Sequence, residues 1–191
     1  MTATRAKILA AILIPLTCVW TCSARPAEVI LLRHAEKPPD ESNVHLSATG
    51  RERARALVKF FATTPELNTN GPPVALFAAR PASRKHSNRP AETLEPLAKH
   101  LKLRVQTPHT AKDYAAVAKT ILHDPAYNGK TVVICWVHDE LAEMAGSLGM
   151  KPRPAPWKSN VFDRVWVITY RGTEASLASL PQNVLPGDSG R

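Results

Sequence analysis

Short, uninterrupted apolar runs alternate along this chain with segments in which apolar residues recur at helical spacing, and this alternation restricts the fold more than any other feature. The apolar runs are Val29 to Leu32, Val74 to Ala78 and Thr131 to Trp136. Runs of this kind are typical of strands that are buried on both faces of a parallel sheet. Because a helical segment follows each run, we predict an α/β fold with crossover helices.

Four helices and one late strand complete the predicted order. Thr49 and Glu52 have capping-box spacing, so the first helix is expected to begin near Gly50. Pro96 lies in the second helical segment, which therefore either begins near Thr93 or is kinked. The other elements are a helix through Tyr114 and Ile121 that Pro125 closes, a helix through Leu141 and Leu148 before Gly149, and a strand from Val161 to Tyr170.

The segment 1–24 has the pattern of a signal peptide. Arg5 and Lys7 precede an uncharged run from Ile8 to Trp20, which is shorter than the roughly 20 residues that span a bilayer. Ser23 and Ala24 are small residues suited to cleavage. We therefore expect export to a periplasm or to the medium, with no stable membrane span after processing. An uncleaved anchor is the alternative.

One domain is expected from the length of 191 residues. We assign residues 25–180 to this domain and expect residues 181–191 to form a disordered tail. Cys18 and Cys22 lie in the leader and each follows a threonine, which makes lipid attachment a weak alternative. Only Cys135 lies beyond the leader, so the mature chain is expected to contain no intramolecular disulfide.

The charge of the chain favours an anionic ligand. The formal net charge is +9, and it stays at about +7 without the leader, which carries two basic residues and no acidic one. Basic residues cluster between Arg80 and Arg89, but no aromatic residues interleave them. A nucleic acid is therefore not an expected partner.

Polar side chains follow two of the predicted strands at the edge where ligands of parallel sheets bind. The candidates are Arg33 and His34 after the first strand, His138 and Asp139 after the strand that ends at Trp136, and Arg89 at the entrance to a helix. Two guanidinium groups and two imidazoles match the oxygens of a phosphoryl group. No His-x-His or His-Glu-x-x-His spacing occurs, so we expect neither a metal nor another cofactor.

These residues resemble the motifs of a known superfamily. The segment Val29 to Lys37, which contains Arg33-His34-Ala35-Glu36, resembles the Arg-His-Gly signature of the histidine phosphatase (phosphoglycerate-mutase-like) superfamily. Leu46 to Ala54 and Arg89-Pro90-Ala91-Glu92-Thr93 resemble two further motifs, and His138 stands at the place of the second catalytic histidine. The resemblance implies a three-layer α/β/α sandwich with a mostly parallel central sheet.

The same resemblance implies a role for each candidate residue. His34 would attack phosphorus and become a phosphohistidine, while Arg33, Arg89 and His138 would bind the phosphoryl oxygens. Asp139 is the first choice as proton donor and Glu36 the second, and a substrate with a good leaving group would need no donor. The stretch from Gln106 to Thr110 lacks the glutamate of mutase-like members, which argues against phosphoglycerate mutation.

We therefore expect an exported, metal-independent phosphatase that hydrolyses a small phosphomonoester. Within the enzyme class, the alternative is a phosphohistidine or acyl-phosphate phosphatase. Outside it, the alternative is a catalytically silent protein of the cell envelope that binds phosphate without turnover.

Overall fold

A computed structural model describes residues 25–40, 42–83 and 86–189 of the chain. Its strands are β1 (Glu28–Arg33), β2 (Ala75–Ala78), β3 (Val105–Gln106), β4 (Thr131–Trp136), β5 (Arg164–Arg171) and β6 (Glu174–Pro181). Its α-helices are α1 (Ala48–Thr63), α2 (Arg89–Leu101), α3 (Tyr114–His123) and α4 (His138–Ser147). The predicted signal peptide, with Cys18 and Cys22, lies outside the described residues. No helix within the described ranges is long and apolar enough to cross a membrane.

All of these strands belong to one sheet, in the order β3-β2-β4-β1-β5-β6. β1 lies between β4 and β5; it runs parallel to β4, with Arg33 opposite Trp136, and antiparallel to β5. β2 is parallel to both β4 and β3, whereas β6 is antiparallel to β5. The carboxyl ends of β1 to β4 therefore lie on one edge of the sheet.

Helices cover both faces of the sheet. Alternating strand residues such as Ile30 and Val133 pack against α1 and α2 through side chains that include Leu57. The residues between them, such as Leu31, pack against α3 and α4 on the opposite face through side chains that include Met144. The predicted three-layer α/β/α sandwich with a mostly parallel sheet is confirmed.

The first helix begins at a different cap from the predicted one. α1 follows Ser47, whose side chain accepts a hydrogen bond from the Gly50 amide at 3.0 Å. Ser47 has the extended backbone of an N-cap residue, and Thr49 already lies inside the helix. The predicted capping box of Thr49 and Glu52 is therefore wrong.

The second helix begins earlier than expected, and two strands were not predicted. α2 starts at Arg89 with Pro90 in its first turn, so the predicted start near Thr93 is wrong and Pro96 lies inside the helix. Pro90 suits that first turn because an amide there has no partner within the helix. The missed strands are β3, which has only two residues, and β6, which pairs along its length with β5.

The chain after β6 is packed against the domain. The backbone amide of Gln182 donates to the carbonyl of Asp163 at 2.8 Å, and the Gln182 residue is 4% exposed. Asp188 forms an ion pair with Arg53 of α1, with 2.6 Å between Oδ1 and Nη2. Residues 182–189, which belong to the predicted disordered tail, thus make specific polar contacts with the domain.

Candidate active site

His34 lies at the carboxyl end of the central strand β1. Its backbone amide donates to the carbonyl of Trp136 in β4 at 3.0 Å, and the residue is 4% exposed. Its Nδ1 lies 2.8 Å from the carbonyl oxygen of Ala35. A carbonyl oxygen only accepts hydrogen bonds, so Nδ1 carries the proton in this contact. The lone pair of the neutral ring then lies on Nε2.

The surroundings of His34 keep its ring uncharged. Burial is the main cause that lowers the pKa of His34 to about 4; the positive charges of Arg33, Arg89 and His138 act in the same direction, and the contact with the Ala35 carbonyl opposes them. At neutral pH the imidazole is therefore a free base. The structure brings together His34 and the three predicted phosphate-binding residues, which we call the His34 cluster.

Arg33 is enclosed by the loop that precedes β5. Its Nη1 donates to the carbonyl oxygens of Ser159 and Val161, the latter at 3.3 Å, and its Nε is buried without a hydrogen-bond partner among the described residues. The guanidinium carbon lies 3.8 Å from the ring centroid of Phe162, and that ring lies 6.3 Å from the ring of His34. Burial lowers the pKa of Arg33 to about 10. Residues 159–162 thus form one wall of the site.

Arg89 reaches the cluster from the first turn of α2. Its Nε donates to the carbonyl of His45 at 3.0 Å, and its Nη2 donates to the carbonyl of Asn43. The carboxylate of Glu92, one turn further along α2, accepts a hydrogen bond from the Leu46 amide at 2.9 Å. The loop 43–46 is therefore fixed against α2, and it orients the guanidinium of Arg89.

Thr93 connects the strand that carries His34 to the helix that carries Arg89. Its hydroxyl donates to the Arg89 carbonyl at 2.7 Å and accepts from the Ala35 amide at 2.9 Å. The residue is fully buried. One side chain thereby sets the spacing between the two motifs.

His138 and Asp139 occupy the first turn of α4 at the rim of the site. Nε2 of His138 lies 3.1 Å from Oδ1 of Asp139, and their side chains are 24% and 72% exposed. Burial lowers the pKa of His138, and the charge of Arg33 also lowers it. The charge of Asp139 in turn acts on Arg33. Asp139 is therefore a solvent-exposed carboxylate close to the His34 cluster.

Glu36 has a partner outside the cluster. Its Oε1 accepts from Nε of Arg53 at 2.9 Å and lies 2.8 Å from Nη2 of the same residue. The second-choice proton donor is thus engaged in an ion pair with α1.

Three residues with specific contacts near the site received no role from the sequence. Phe162 was assigned to the predicted strand from Val161 to Tyr170, but β5 begins only at Arg164, and the position of Phe162 over Arg33 depends on the path of the preceding loop. Thr93 belongs to the motif that begins at Arg89, and its burial follows from that motif. Arg53 shares the buried face of α1 with Gly50 and Leu57, and a charged residue in an apolar face was a usable signal.

The described part of the chain contains no group of three or more His, Cys, Asp or Glu side chains that is arranged to hold a metal ion. The charged groups that converge on His34 are cations and imidazoles. Such a set of donors matches an anion with several oxygens.

The sequence matches no protein-family model and no curated protein, but its fold matches solved structures. A candidate alpha-ribazole-5′-P phosphatase from Escherichia coli matches with a TM-score of 0.57 and 12% identity, over 82% of this chain and 97% of that one. The mycobacterial glucosyl-3-phosphoglycerate phosphatase, in complex with VO3, matches with a TM-score of 0.54 and 14% identity, over 80% and 97%. Phosphoserine phosphatase from Entamoeba histolytica, in complex with phosphoserine, matches with a TM-score of 0.52 and 12% identity, over 83% of this chain and 98% of that one.

The chain has the histidine phosphatase fold. The fold that the resemblance implies is confirmed, because these structures are covered almost completely. With identities of only 12 to 14%, the likeness establishes the fold.

Proposed function

We propose that this chain is a metal-independent phosphatase that hydrolyses a small phosphomonoester through a phosphohistidine on His34. One observation carries the proposal: Nδ1 of His34 donates to the Ala35 carbonyl at 2.8 Å, which leaves Nε2 unprotonated in a buried, cationic setting. A neutral imidazole beside two buried guanidinium groups combines a nucleophile with a binding site for the phosphoryl group it attacks.

In the first step, Nε2 of His34 attacks phosphorus and the bond from phosphorus to the leaving oxygen breaks. Arg33, Arg89 and His138 hold the three equatorial oxygens, and their donors stabilise the charge of the transition state. The leaving alkoxide takes a proton, and the phosphoryl group remains on Nε2. The Ala35 carbonyl accepts from Nδ1 throughout, and it stabilises the positive charge that develops on the ring.

In the second step, a water molecule attacks the phosphohistidine, loses a proton and releases inorganic phosphate. His34 returns to its neutral form with the lone pair on Nε2. The two displacements replace one difficult displacement by two easier ones.

Asp139 is the proposed donor of the proton in the first step and its acceptor in the second. It is the exposed carboxylate next to His138, and its charge reaches Arg33. Glu36 is less suited because Arg53 already donates two contacts to one of its oxygens. Substituting Asp139 with Asn is expected to lower the rate of alkyl phosphate hydrolysis about 100-fold, which is a usual contribution of general acid catalysis.

The proposal is tested by trapping the intermediate. Wild type and His34→Ala are mixed with p-nitrophenyl phosphate and quenched under alkaline denaturing conditions. The mass of each intact protein is then measured by mass spectrometry. Wild type is expected to gain one acid-labile phosphoryl group, and His34→Ala none, with turnover reduced at least about 1000-fold. His100→Ala, which changes an exposed histidine on α2, is the matched control and should behave as wild type. Turnover by His34→Ala at the wild-type rate contradicts the proposal.

A second candidate is an acyl-phosphate or phosphohistidine phosphatase. The side chain of Asp139 is 72% exposed. This exposure favours the second candidate, because a carboxylate so open to solvent suits substrates whose leaving groups need no proton. Asp139→Asn then distinguishes the two. Slower hydrolysis of alkyl phosphates with unchanged hydrolysis of acetyl phosphate indicates a donor, whereas no loss with either substrate favours the second candidate.

Two finer parts of the proposal have separate tests. Full activity after exhaustive treatment with a chelator is expected if the reaction uses no metal. For export, the support is the sequence of residues 1–24, and N-terminal sequencing of the protein from a cell envelope fraction tests it. Phosphate binding without any phosphoryl transfer would instead indicate the silent envelope protein.

A further inference from the structure

The chain after β6 reaches the loop of His34 through a continuous set of ion pairs. We propose that Asp188 is a positioning residue for His34, acting through Arg53 and Glu36. This inference rests on the proposed function, and it adds a residue near the end of the described chain to those that position the active site.

The first link is between Asp188 and Arg53. Nη1 and Nη2 of Arg53 donate to the two carboxylate oxygens of Asp188, at 3.0 and 2.6 Å. The side chains are 5% and 6% exposed. Burial alone would lower the pKa of Arg53, but the contacts with Asp188 and Glu36 raise it. A bidentate pair with this little exposure fixes the direction of the guanidinium.

The second link is the local fold that holds Asp188. Oδ2 of Asp188 accepts from the backbone amides of Val184 and Leu185, at 2.9 and 3.0 Å. Burial would raise the pKa of Asp188, but Arg53 and these amides lower it. Gln182 adds a further acceptor for Nη1 of Arg53 at 3.0 Å. The turn 182–188 thus presents a fixed set of acceptors to α1.

The third link is between Arg53 and Glu36, two residues after His34. Nε and Nη2 of Arg53 both contact Oε1 of Glu36. The backbone of Glu36 is held as well, since its carbonyl accepts from the Ser47 amide at 2.9 Å. α1 approaches so closely that a Cβ on Gly50 would lie 2.4 Å from that carbonyl oxygen. Both the side chain and the backbone of Glu36 are therefore anchored.

The last link is the Ala35 peptide, which lies between His34 and Glu36. Its amide donates to Thr93, and its carbonyl accepts from Nδ1 of His34. Glu36 follows this carbonyl directly, so its anchoring fixes the acceptor that selects the tautomer of His34. A shift of about 1 Å in a group of this kind can cost about 100-fold in rate.

The experiment uses Asp188→Asn in the full chain. An amide at this position must turn its NH2 group either toward Nη2 of Arg53 or toward Nη1 and the two backbone amides, all of which are donors. Asp163→Asn is the matched control, because Asp163 also anchors the end of the chain, through Ser189, but does not contact Arg53.

The readouts are the single-turnover rate of phosphohistidine formation, the affinity for inorganic phosphate, and the tautomer of His34 by nitrogen NMR. For Asp188→Asn we expect a rate about 10- to 100-fold lower, phosphate affinity within about twofold of wild type, and a smaller fraction of the Nδ1-protonated tautomer. Asp163→Asn should keep all three wild-type values. A purely structural role would lower phosphate affinity together with the rate.

The inference is overturned if Asp188→Asn keeps the wild-type rate and tautomer, or if the control loses as much. Wild type that forms no phosphohistidine would instead contradict the proposed function, and the NMR readout would still decide the positioning role. If Asp188→Asn does not fold, Gln182→Met removes the weaker contact to Arg53 and should give a smaller change in the same direction.

Discussion

Arg33 and Arg53 are equally inaccessible, at 3% and 4% exposure, but their surroundings are opposite. Arg53 contacts the carboxylates of Glu36 and Asp188, which raise its pKa above the value that burial alone would give. Arg33 contacts backbone carbonyls and the ring of Phe162, and burial lowers its pKa to about 10. No carboxylate of the described residues lies within ion-pair distance of Arg33.

The difference indicates that the Arg53 guanidinium stabilises the fold, whereas the Arg33 guanidinium is available to bind an anion. A buried cation with carboxylate partners is already compensated, so an incoming phosphoryl group gains little from it. A buried cation that has only carbonyl partners retains most of its charge for a ligand. The unpartnered Nε of Arg33 is consistent with that role.

Replacing Arg53 should have the largest effect on stability. Arg53→Met leaves the Glu36 and Asp188 carboxylates without their cation, and breaking a buried pair in this way costs about 3 to 5 kcal/mol. The free energy of unfolding is measured by denaturant titration. Arg55→Met, an exposed position on the same helix, is the control and should stay within about 0.5 kcal/mol of wild type. A loss below about 1 kcal/mol for Arg53→Met would remove the distinction between the two arginines.

Replacing Arg33 should affect activity instead. Arg33→Met is expected to lower kcat/KM about 100- to 1000-fold, because one preorganised donor to the transition state is lost. The free energy of unfolding should stay the same or rise, since the buried cation has no carboxylate partner to leave behind. Kinetics and denaturation on the same preparation test both parts. A stability loss as large as that of Arg53→Met would show that Arg33 is structural.

The pH dependence of stability should report the burial of His34 beside cationic groups. Its pKa falls from 6.5 to about 4 on folding, so the unfolded chain binds the proton first as the pH drops. Stability is then lost between pH 6.5 and 4, by up to about 3 kcal/mol. His34→Asn should remove this loss in denaturation measured without phosphate. Equal slopes for wild type and variant in that interval would contradict the assignment.

Glu28, at the opposite end of β1, supplies the internal comparison for that measurement. Burial raises its pKa from 4.5 to about 7, so its contribution to stability is lost as the pH rises through that interval. The two contributions have opposite signs. Glu28→Gln should therefore make the dependence on His34 easier to see.

The sequence predicted those parts of the molecule that depend on local pattern. Continuous apolar runs identified β1, β2 and β4, and the parallel arrangement of these strands brought residues after Arg33 and Trp136 to one edge. The contacts of Arg53 with Gln182 and Asp188 were not predicted, because these residues lie more than 100 positions away in sequence. The same holds for Phe162, whose place beside His34 depends on the path of an irregular loop.

The place of β1 in the sheet also determines when the domain can fold. β1 is the first strand in the described part of the chain, yet it pairs on one side with residues 131–136 and on the other with residues 165–169. Contacts this distant in sequence make folding slow and late, because long loops must close before any pairing is gained. The centre of the sheet therefore cannot be completed until residues 165–169 have been synthesised.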